Sequence, residues 1–277
     1  MYDVTVILTC HNRCGKTVSC IRSLAQKNKA ARLRFIVVDD NSTDKTPEAL
    51  KELSDKGICI ELIRGSGELY YSGGMRLGME KAKKEAGFDH CLMVNDDVSF
   101  FDGCVDRMLE FHESFVKNGK ETVIIGCTCS EGGELTYGGV KYTGRGVKYR
   151  QVGPGEDIDC DTFNANCVLI PKDVFENADI IDPVYVHSLG DFDYGLSLSR
   201  KGIHLRTFSG FAGSCEKNPD KNTWTDRSLG RRQRLKAKES IKGAPFKQWF
   251  YFLKKNFGYT EAFLHAFTPY IRIALNR

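Results

Sequence analysis

The chain of 277 residues contains no uncharged apolar run approaching the ~18 residues that a membrane span needs. Its first apolar run, Val4 to Thr9, starts too early and ends too soon for a signal peptide, so a cytoplasmic protein is expected. No C-x-x-C pair occurs among its 11 cysteines, an odd number scattered from Cys10 to Cys215, and this gives no ground for a zinc knuckle or a disulfide framework. Most read as small buried apolar residues. Repeats, low-complexity segments and a clear linker are absent too. With 41% hydrophobic, 27% charged and 11% aromatic residues, the composition excludes disorder, collagen and coiled coil.

The formal charge of +4 hides an asymmetry. From Arg227 to Arg277 there are twelve Lys/Arg against two Glu, whereas residues 1 to 226 carry 28 Lys/Arg against 34 Asp/Glu. A mildly acidic body therefore ends in a basic tail, and that acidic body, with no recognition motif, speaks against nucleic acid as a partner.

Short buried strands alternate with amphipathic helices. Strands are expected at Val4–Thr9, Phe35–Val38, Ile58–Ile63, His90–Val94 and Thr122–Cys127, and helices near Lys16–Gln26, Ser42–Lys56, Gly73–Ala86 and Asp102–Val116. This alternation predicts an α/β, doubly wound, Rossmann-like sheet, mainly parallel, with ligands at the strand C-terminal ends. Glycines from Gly132 to Gly155, Gly146 among them, then punctuate short Tyr/Val/Thr runs and suggest hairpins. Phe163–Ile170 reads as a strand, Asp191–Lys201 as a helix and Ile203–Phe208 as a last strand. From about Ser228 the chain reads as helical, basic and aromatic. A body of residues 1–225 and an extension of 226–277 are expected.

Four groups carry chemistry. Leu92-Met-Val-Asn95-Asp96-Asp97 is a buried strand delivering adjacent carboxylates at its end; they repel one another and suit a hard divalent cation, Mg²⁺ or Mn²⁺. As loop and cap residues the same three would need no metal. Val38-Asp39-Asp40-Asn41 ends another strand, where acidic residues accept hydrogen bonds from ribose or base, and Asn41 to Thr43 also cap the next helix. Gly65 to Gly74 is a glycine-rich turn before a helix, open to a phosphate or sugar, or simply a tight loop. Gly190-Asp191-Phe-Asp193 opens a helix; Asp191 is an N-cap candidate, and beside a pocket it is also a suitable general base.

In this order the motifs resemble the inverting glycosyltransferases of family 2, with the GT-A fold, in particular bacterial rhamnosyl- and galactofuranosyltransferase-like members. The resemblance spans residues 3 to 215. It rests on Thr9-Cys-His-Asn12-Arg13, Val37-Val-Asp39-Asp40-Asn-Ser-Thr-Asp44, the loop Gly65 to Gly78, Asn95-Asp96-Asp97 and Gly190-Asp191-Phe-Asp193. It implies metal-dependent transfer of a sugar from a nucleoside-diphosphate donor, UDP or dTDP, to an acceptor hydroxyl. Thr9, Asn12, Arg13, Asp39, Asp40, Gly73, Gly74, Asn95 and Asp96 would serve the donor. Asp97 and Asp96 would hold the metal, and Asp191 would be the base. Asn164, Asn166, His187 and Asp193 would serve the acceptor side, with Asp193 orienting the loop. Asn95 stands where many relatives carry Asp, Arg76 replaces an Asn in the glycine loop, and no His lies near Cys215, which reads as packing. The resemblance also implies a saccharide acceptor on a lipid, as in lipopolysaccharide or capsule synthesis, with peripheral contact at the cytoplasmic face of the inner membrane through residues 244–277. The same segment would equally serve as a helix packed on the body. A sugar-nucleotide nucleotidyltransferase would carry its glycine signature after the first strand, and here it follows the third. A silent binding protein is expected to lose the base or the metal carboxylate, and Asp191 and Asp97 are both present.

Overall fold

The computed structural model describes residues 1–85, 87–117, 119–144 and 147–277, without the side chain of Lys27; Ala86, the expected end of one helix, and Gly146 lie outside the described residues. The opening strand β1 (Tyr2–Cys10) is buried along most of its length, as a strand covered by helices on both faces must be. Its side chains alternate. Val4, Val6 and Leu8 join one core layer with α1 (Cys14–Lys27), while Ile7 joins the layer on the opposite face. The strand β2 (Ala31–Asp39), helix α2 (Thr46–Asp55), strand β3 (Ile60–Arg64), helix α3 (Tyr70–Lys83) and strand β4 (His90–Val94) follow. Because β1 is parallel to both β2 and β4, their C-terminal ends open on one edge of the sheet. All the polar groups singled out at strand ends therefore share that edge.

Next come β5 (Ser99–Phe100), α4 (Cys104–Val116), β6 (Thr122–Cys129), β7 (Leu135–Tyr137), β8 (Gly139–Tyr142), β9 (Tyr149–Val152), β10 (Thr162–Phe163), β11 (Cys167–Pro171), α5 (Lys172–Asn177), α6 (Gly190–Arg200) and β12 (His204–Ser214). The main sheet runs β3-β2-β1-β4-β11-β6-β12-β5, with β7 on β6, and β10-β8-β9 form a small antiparallel sheet. The strand expected over Phe163–Ile170 is in fact two, divided at residues 164–166 between the two sheets. Its second part, β11, lies antiparallel to β4 with Cys167 opposite Val94. That register sets the Asn164–Asn166 break beside the end of β4, and the Asn95 N–H donates to the Asn166 carbonyl at 3.2 Å.

Helix α3 begins at Tyr70, three residues before the expected Gly73. Its glycines serve packing: a Cβ on Gly74 would stand 2.1 Å from Thr9 Oγ1, and one on Gly78 would stand 2.5 Å from Ile7 Cγ2. Only glycine lets α3 approach β1 this closely. Gly74, expected against the donor, is thus a helix-to-strand contact, whereas a Cβ on Gly73, expected there too, would meet Leu69 at 3.4 Å.

The C-terminal segment holds α7 (Arg231–Lys238), α8 (Phe246–Ala266) and α9 (Thr268–Ala274), and Gly258, with φ 88°, breaks α8 in two. Residues 226–277 pack back on the body: Phe252, Leu253, Ala262 and Ala266 share a core with Tyr185 and Leu196. Asp193, expected near the acceptor, is instead the latch of this contact. It is buried, and its carboxylate accepts from Lys255 Nζ at 2.7 Å and Asn256 Nδ2 at 2.8 Å, both on α8. Lys255 also reaches Asp182, at 2.9 Å. Replacing Lys255 with Ala strands the Asp193 charge in the interior, and a destabilisation of about 1–3 kcal/mol is expected. A urea melt checks this, and an unchanged midpoint would deny Asp193 and Lys255 any latching role.

Candidate functional site

The shared edge of strand ends forms a cavity of about 780 Å³. One wall comes from the ends of β1, β2 and β4, through Thr9, Arg13, Asp40 and Asn95 to Asp97. The rest of the lining comes from Asn164 and Asn166, the latter adjoining Asn95, from His187 to Leu189 ahead of α6 and Asp191 and Phe192 at its start, and from Trp249 and Phe252 of α8.

The two acidic residues after β4 differ. Asp96 is buried and bound by Arg13 Nη1 at 2.8 Å and by the Thr17 hydroxyl at 3.2 Å. Burial raises its carboxyl to about 6, Asp97 adds to the rise, and Arg13 opposes it. Asp97 remains more open, takes Arg13 Nη2 at 2.5 Å, and accepts from the Cys215 thiol at 3.6 Å. One guanidinium thus spans two adjacent carboxylates. Asn95 Oδ1 beside them is buried with no partner among the described residues. Cys215 is buried, touches Asn166 Nδ2 at 3.8 Å, and behaves as a packing thiol whose pKa is pushed up to about 12 chiefly by burial.

Elsewhere on the cavity lining, Leu189 adopts φ 72° so that α6 starts sharply at Gly190. A Cβ on Gly190 would stand 2.5 Å from Ser72 Oγ, so this helix start is pressed against α3. Asp191 follows on the cavity wall, accepting from the Ala165 N–H at 3.3 Å and the Phe192 N–H at 2.9 Å. Burial raises its carboxyl to about 6 against these two bonds. His187 is pushed down to about 4 by burial, so its ring is neutral near pH 7, and its Nδ1 lacks a partner among the described residues. The loop carrying it is tied to α3 by Ser72, whose N–H donates to the Val186 carbonyl at 3.0 Å and whose hydroxyl donates to the His187 carbonyl at 2.9 Å.

Thr9, Arg13, Asp40, Asn95, Asp96, Asp97, Asn164, Asn166, His187 and Asp191 all line this one cavity. Asn12, Asp39, Gly73, Gly74 and Asp193 do not. Asn12, at φ 52°, spends its side-chain oxygen on the N–H groups of Thr43 (2.7 Å) and Asp44 (3.2 Å). Asp39 is buried and caps the Ser42 N–H at 3.1 Å. Asp40 reaches the wall while its two oxygens hold Gly67 and Tyr70 N–H groups at 2.7 and 2.9 Å, which shapes the glycine turn. Sequence reasoning missed the aromatic lining: Tyr71, Tyr142, Tyr149, Phe192 and Trp249. Tyr71 stands out, since its hydroxyl is buried and unpartnered among the described residues, and the Asp191 and Asp97 charges both add to the rise that burial imposes on its pKa. The clustering of tyrosines among the hairpin glycines was the available signal.

The glycosyl transferase family 2 model matches residues 5–167, more than half of the chain. The chain belongs to glycosyl transferase family 2. It is a glycosyltransferase that uses nucleotide-sugar donors. Its fold is GT-A: a mannosyltransferase of Pyrobaculum calidifontis, PcManGT, solved with GDP-Man and Mn²⁺, superposes with a TM-score of 0.56 at 14% identity, over 99% of this chain and 73% of that one. TarS of S. aureus, residues 1–349, superposes with a TM-score of 0.55 at 15% identity, over 98% and 80% of the two chains. No curated protein matches the chain in sequence.

Proposed function

We propose that this family 2 enzyme is an inverting, divalent-metal-assisted glycosyltransferase whose base is Asp191, moving a sugar from a UDP- or dTDP-linked donor to a saccharide hydroxyl. The observation that carries the reading is the placement of Asp191, with its pKa raised to about 6, in a single cavity with the Asp96–Asp97 pair. A base with a pKa near working pH is ionised yet retains affinity for a proton.

The donor set fits a hard cation. Among the described residues no three His, Cys, Asp or Glu side chains converge as a cage, but two adjacent carboxylates and the orphaned Asn95 oxygen make the small protein share that Mg²⁺ or Mn²⁺ takes when diphosphate completes the shell. Asp97 and Asp96 would hold the ion, and its charge would stabilise the departing diphosphate. Arg13, which spans the pair, is positioned to pass a guanidinium contact to phosphate oxygens. Thr9 and Asp40 wall the nucleoside half. On the other half, the acceptor O–H gives its proton to Asp191 while its oxygen attacks the anomeric carbon, and the bond to the diphosphate oxygen breaks on the far side with inversion. His187, Asn164 and Asn166 would orient the acceptor, and Asp193 keeps the helix start in place from behind through α8.

A lipid-linked acceptor, used in surface polysaccharide synthesis at the cytoplasmic face of a membrane with peripheral contact through residues 244–277, belongs to the same reading. Its support is the apolar and aromatic acceptor half, where Trp249 and Phe252 come from that very segment.

A panel of UDP-, dTDP- and GDP-sugars measured by thermal shift tests the donor half, because a ligand that binds only the native state raises its melting temperature. One nucleotide family is expected to raise Tm in Mn²⁺ and to lose most of that shift with chelator. The absence of a shift with every donor would remove the donor assignment.

A further inference from the structure

Beyond Gly258 the C-terminal helices are apolar on two faces. Ala262, Ala266, Pro269 and Ile273 turn inward and are buried, which accounts for one of them. The other is unaccounted for. Tyr259, Phe263, Phe267, Ile271 and Leu275 recur every four residues through the end of α8 and along α9, and they are 61%, 63%, 51%, 55% and 60% exposed, with Leu264 beside them at 64%. Side chains four apart are neighbours on a helix surface, so these five form a continuous stripe that winds gradually along the exposed side of α8 and α9. A helix packed on a soluble domain normally turns polar residues outward, and a contiguous exposed apolar patch marks an interaction site.

The surroundings of the stripe are cationic. Helix α7 is clamped to the end of α9 by the buried Arg234, whose guanidinium donates to Asn276 Oδ1 at 3.0 Å and to the Arg277 carbonyl at 2.9 Å, and also to the Trp224 carbonyl at 2.8 Å. This holds α7, which carries the exposed Arg231, Arg232 and Lys236, against α9, which carries Arg272 itself. Of the two acidic residues after Arg227, Glu239 is bonded to the Tyr270 hydroxyl and Glu261 is paired with His265 at 3.0 Å. Twelve Lys/Arg against two Glu over residues 227–277 leave the unit strongly positive.

We propose that the stripe from Tyr259 to Leu275, with the cations of α7 and α9, is a docking face for an anionic lipid surface. The helices lie in the interface with the stripe turned into the acyl boundary and the Arg and Lys side chains among anionic head groups. No described helix is long and apolar enough to cross the membrane, so the contact is a surface one. A second copy of the chain is the weaker match, since it would bring one cationic unit against another. The inference deepens the membrane contact in the proposed function and rests on it. It adds a consequence for the site: α8 carries Trp249 and Phe252 on the cavity wall, and Lys242 lies at the same wall, so docking holds the acceptor half of the cavity close to the bilayer.

The test is co-sedimentation of the full chain with vesicles of phosphatidylcholine alone and of phosphatidylcholine mixed with phosphatidylglycerol. It needs no donor, acceptor or turnover, so its outcome is separate from that of the enzymatic reading. Binding is expected only with the anionic vesicles, and it should weaken as salt is raised. The variant Phe263→Ser/Phe267→Ser/Ile271→Ser is expected to lose at least ~10-fold in vesicle affinity, because it removes the inserted side chains. Arg231→Glu/Arg232→Glu/Lys236→Glu, which leaves the stripe intact, should abolish the preference for anionic lipid. Equal sedimentation with neutral and anionic vesicles, or binding unchanged in both variants, overturns the proposal. So does a dimer in analytical ultracentrifugation that the serine variant dissolves, since the stripe would then belong to a second copy.

Discussion

Asp191→Asn is expected to lower turnover by ~10²- to 10⁴-fold, the usual contribution of a positioned general base. Donor binding, read by the Mn²⁺-dependent thermal shift, should stay within about twofold of the wild type, because Asp191 bonds to the Ala165 and Phe192 N–H groups rather than to the residues proposed to hold the donor. The wild-type pH profile should carry the same group. With the carboxyl raised to about 6, the free enzyme's kcat/KM is expected to fall below pH 6 and to level off above it. Stability runs the other way. The folded pKa lies above the usual 3.8, so the contribution of Asp191 to stability is fully present below pH 3.8 and is lost as pH rises through about 6. At neutral pH the ionised, buried carboxylate therefore weighs against the fold, and Asp191→Asn should melt at a higher temperature than the wild type. A variant that is more stable and nearly inactive is the signature of a group kept for chemistry. Wild-type turnover in Asp191→Asn would remove the base assignment outright.

Asp97→Ala is the second large effect. Asp97 is the more open of the two carboxylates, and Asp96 behind it is buried and held by Thr17 and Arg13. Removing Asp97 leaves Asp96 as the one carboxylate of the pair, with Arg13 still on it. Donor affinity in Mn²⁺ is then expected to drop by at least ~10-fold, and the difference between Mn²⁺ and chelator should vanish. In contrast to Asp191→Asn, the loss appears in binding. Isothermal titration of the donor selected by the panel, with and without Mn²⁺, separates the two. Identical titrations for wild type and Asp97→Ala would refute metal binding at this position.

Much of this site could be read before any tertiary contact was known. Val37-Val38-Asp39-Asp40 and Val94-Asn95-Asp96-Asp97 announce themselves because a strand covered on both faces is a run of apolar residues, and its first polar residues mark where it leaves the core. Asp191 was legible for a related reason, as an acidic residue opening a helix. Other positions carry no such mark. Gly73 and Gly74 look like a ligand loop, yet they lie inside α3, where Thr9 leaves no room for a Cβ on Gly74. Asp193 stands two residues from Asp191 in the same motif and turns away from the cavity to Lys255, because successive positions of a helix diverge by about 100°.

The sequence by itself determined the alternation of strand and helix, the acidic groups at strand ends and the basic, aromatic C-terminal segment. These are properties of local period and composition. Only the tertiary structure decided that Asn166 meets Asn95 through the antiparallel β11, that α8 walls the cavity, and that one face of α8 and α9 stays uncovered. Such pairings join residues far apart in the chain. Their geometry is set by the register of strands and the packing of helices, and neither leaves a trace in the residues that happen to meet.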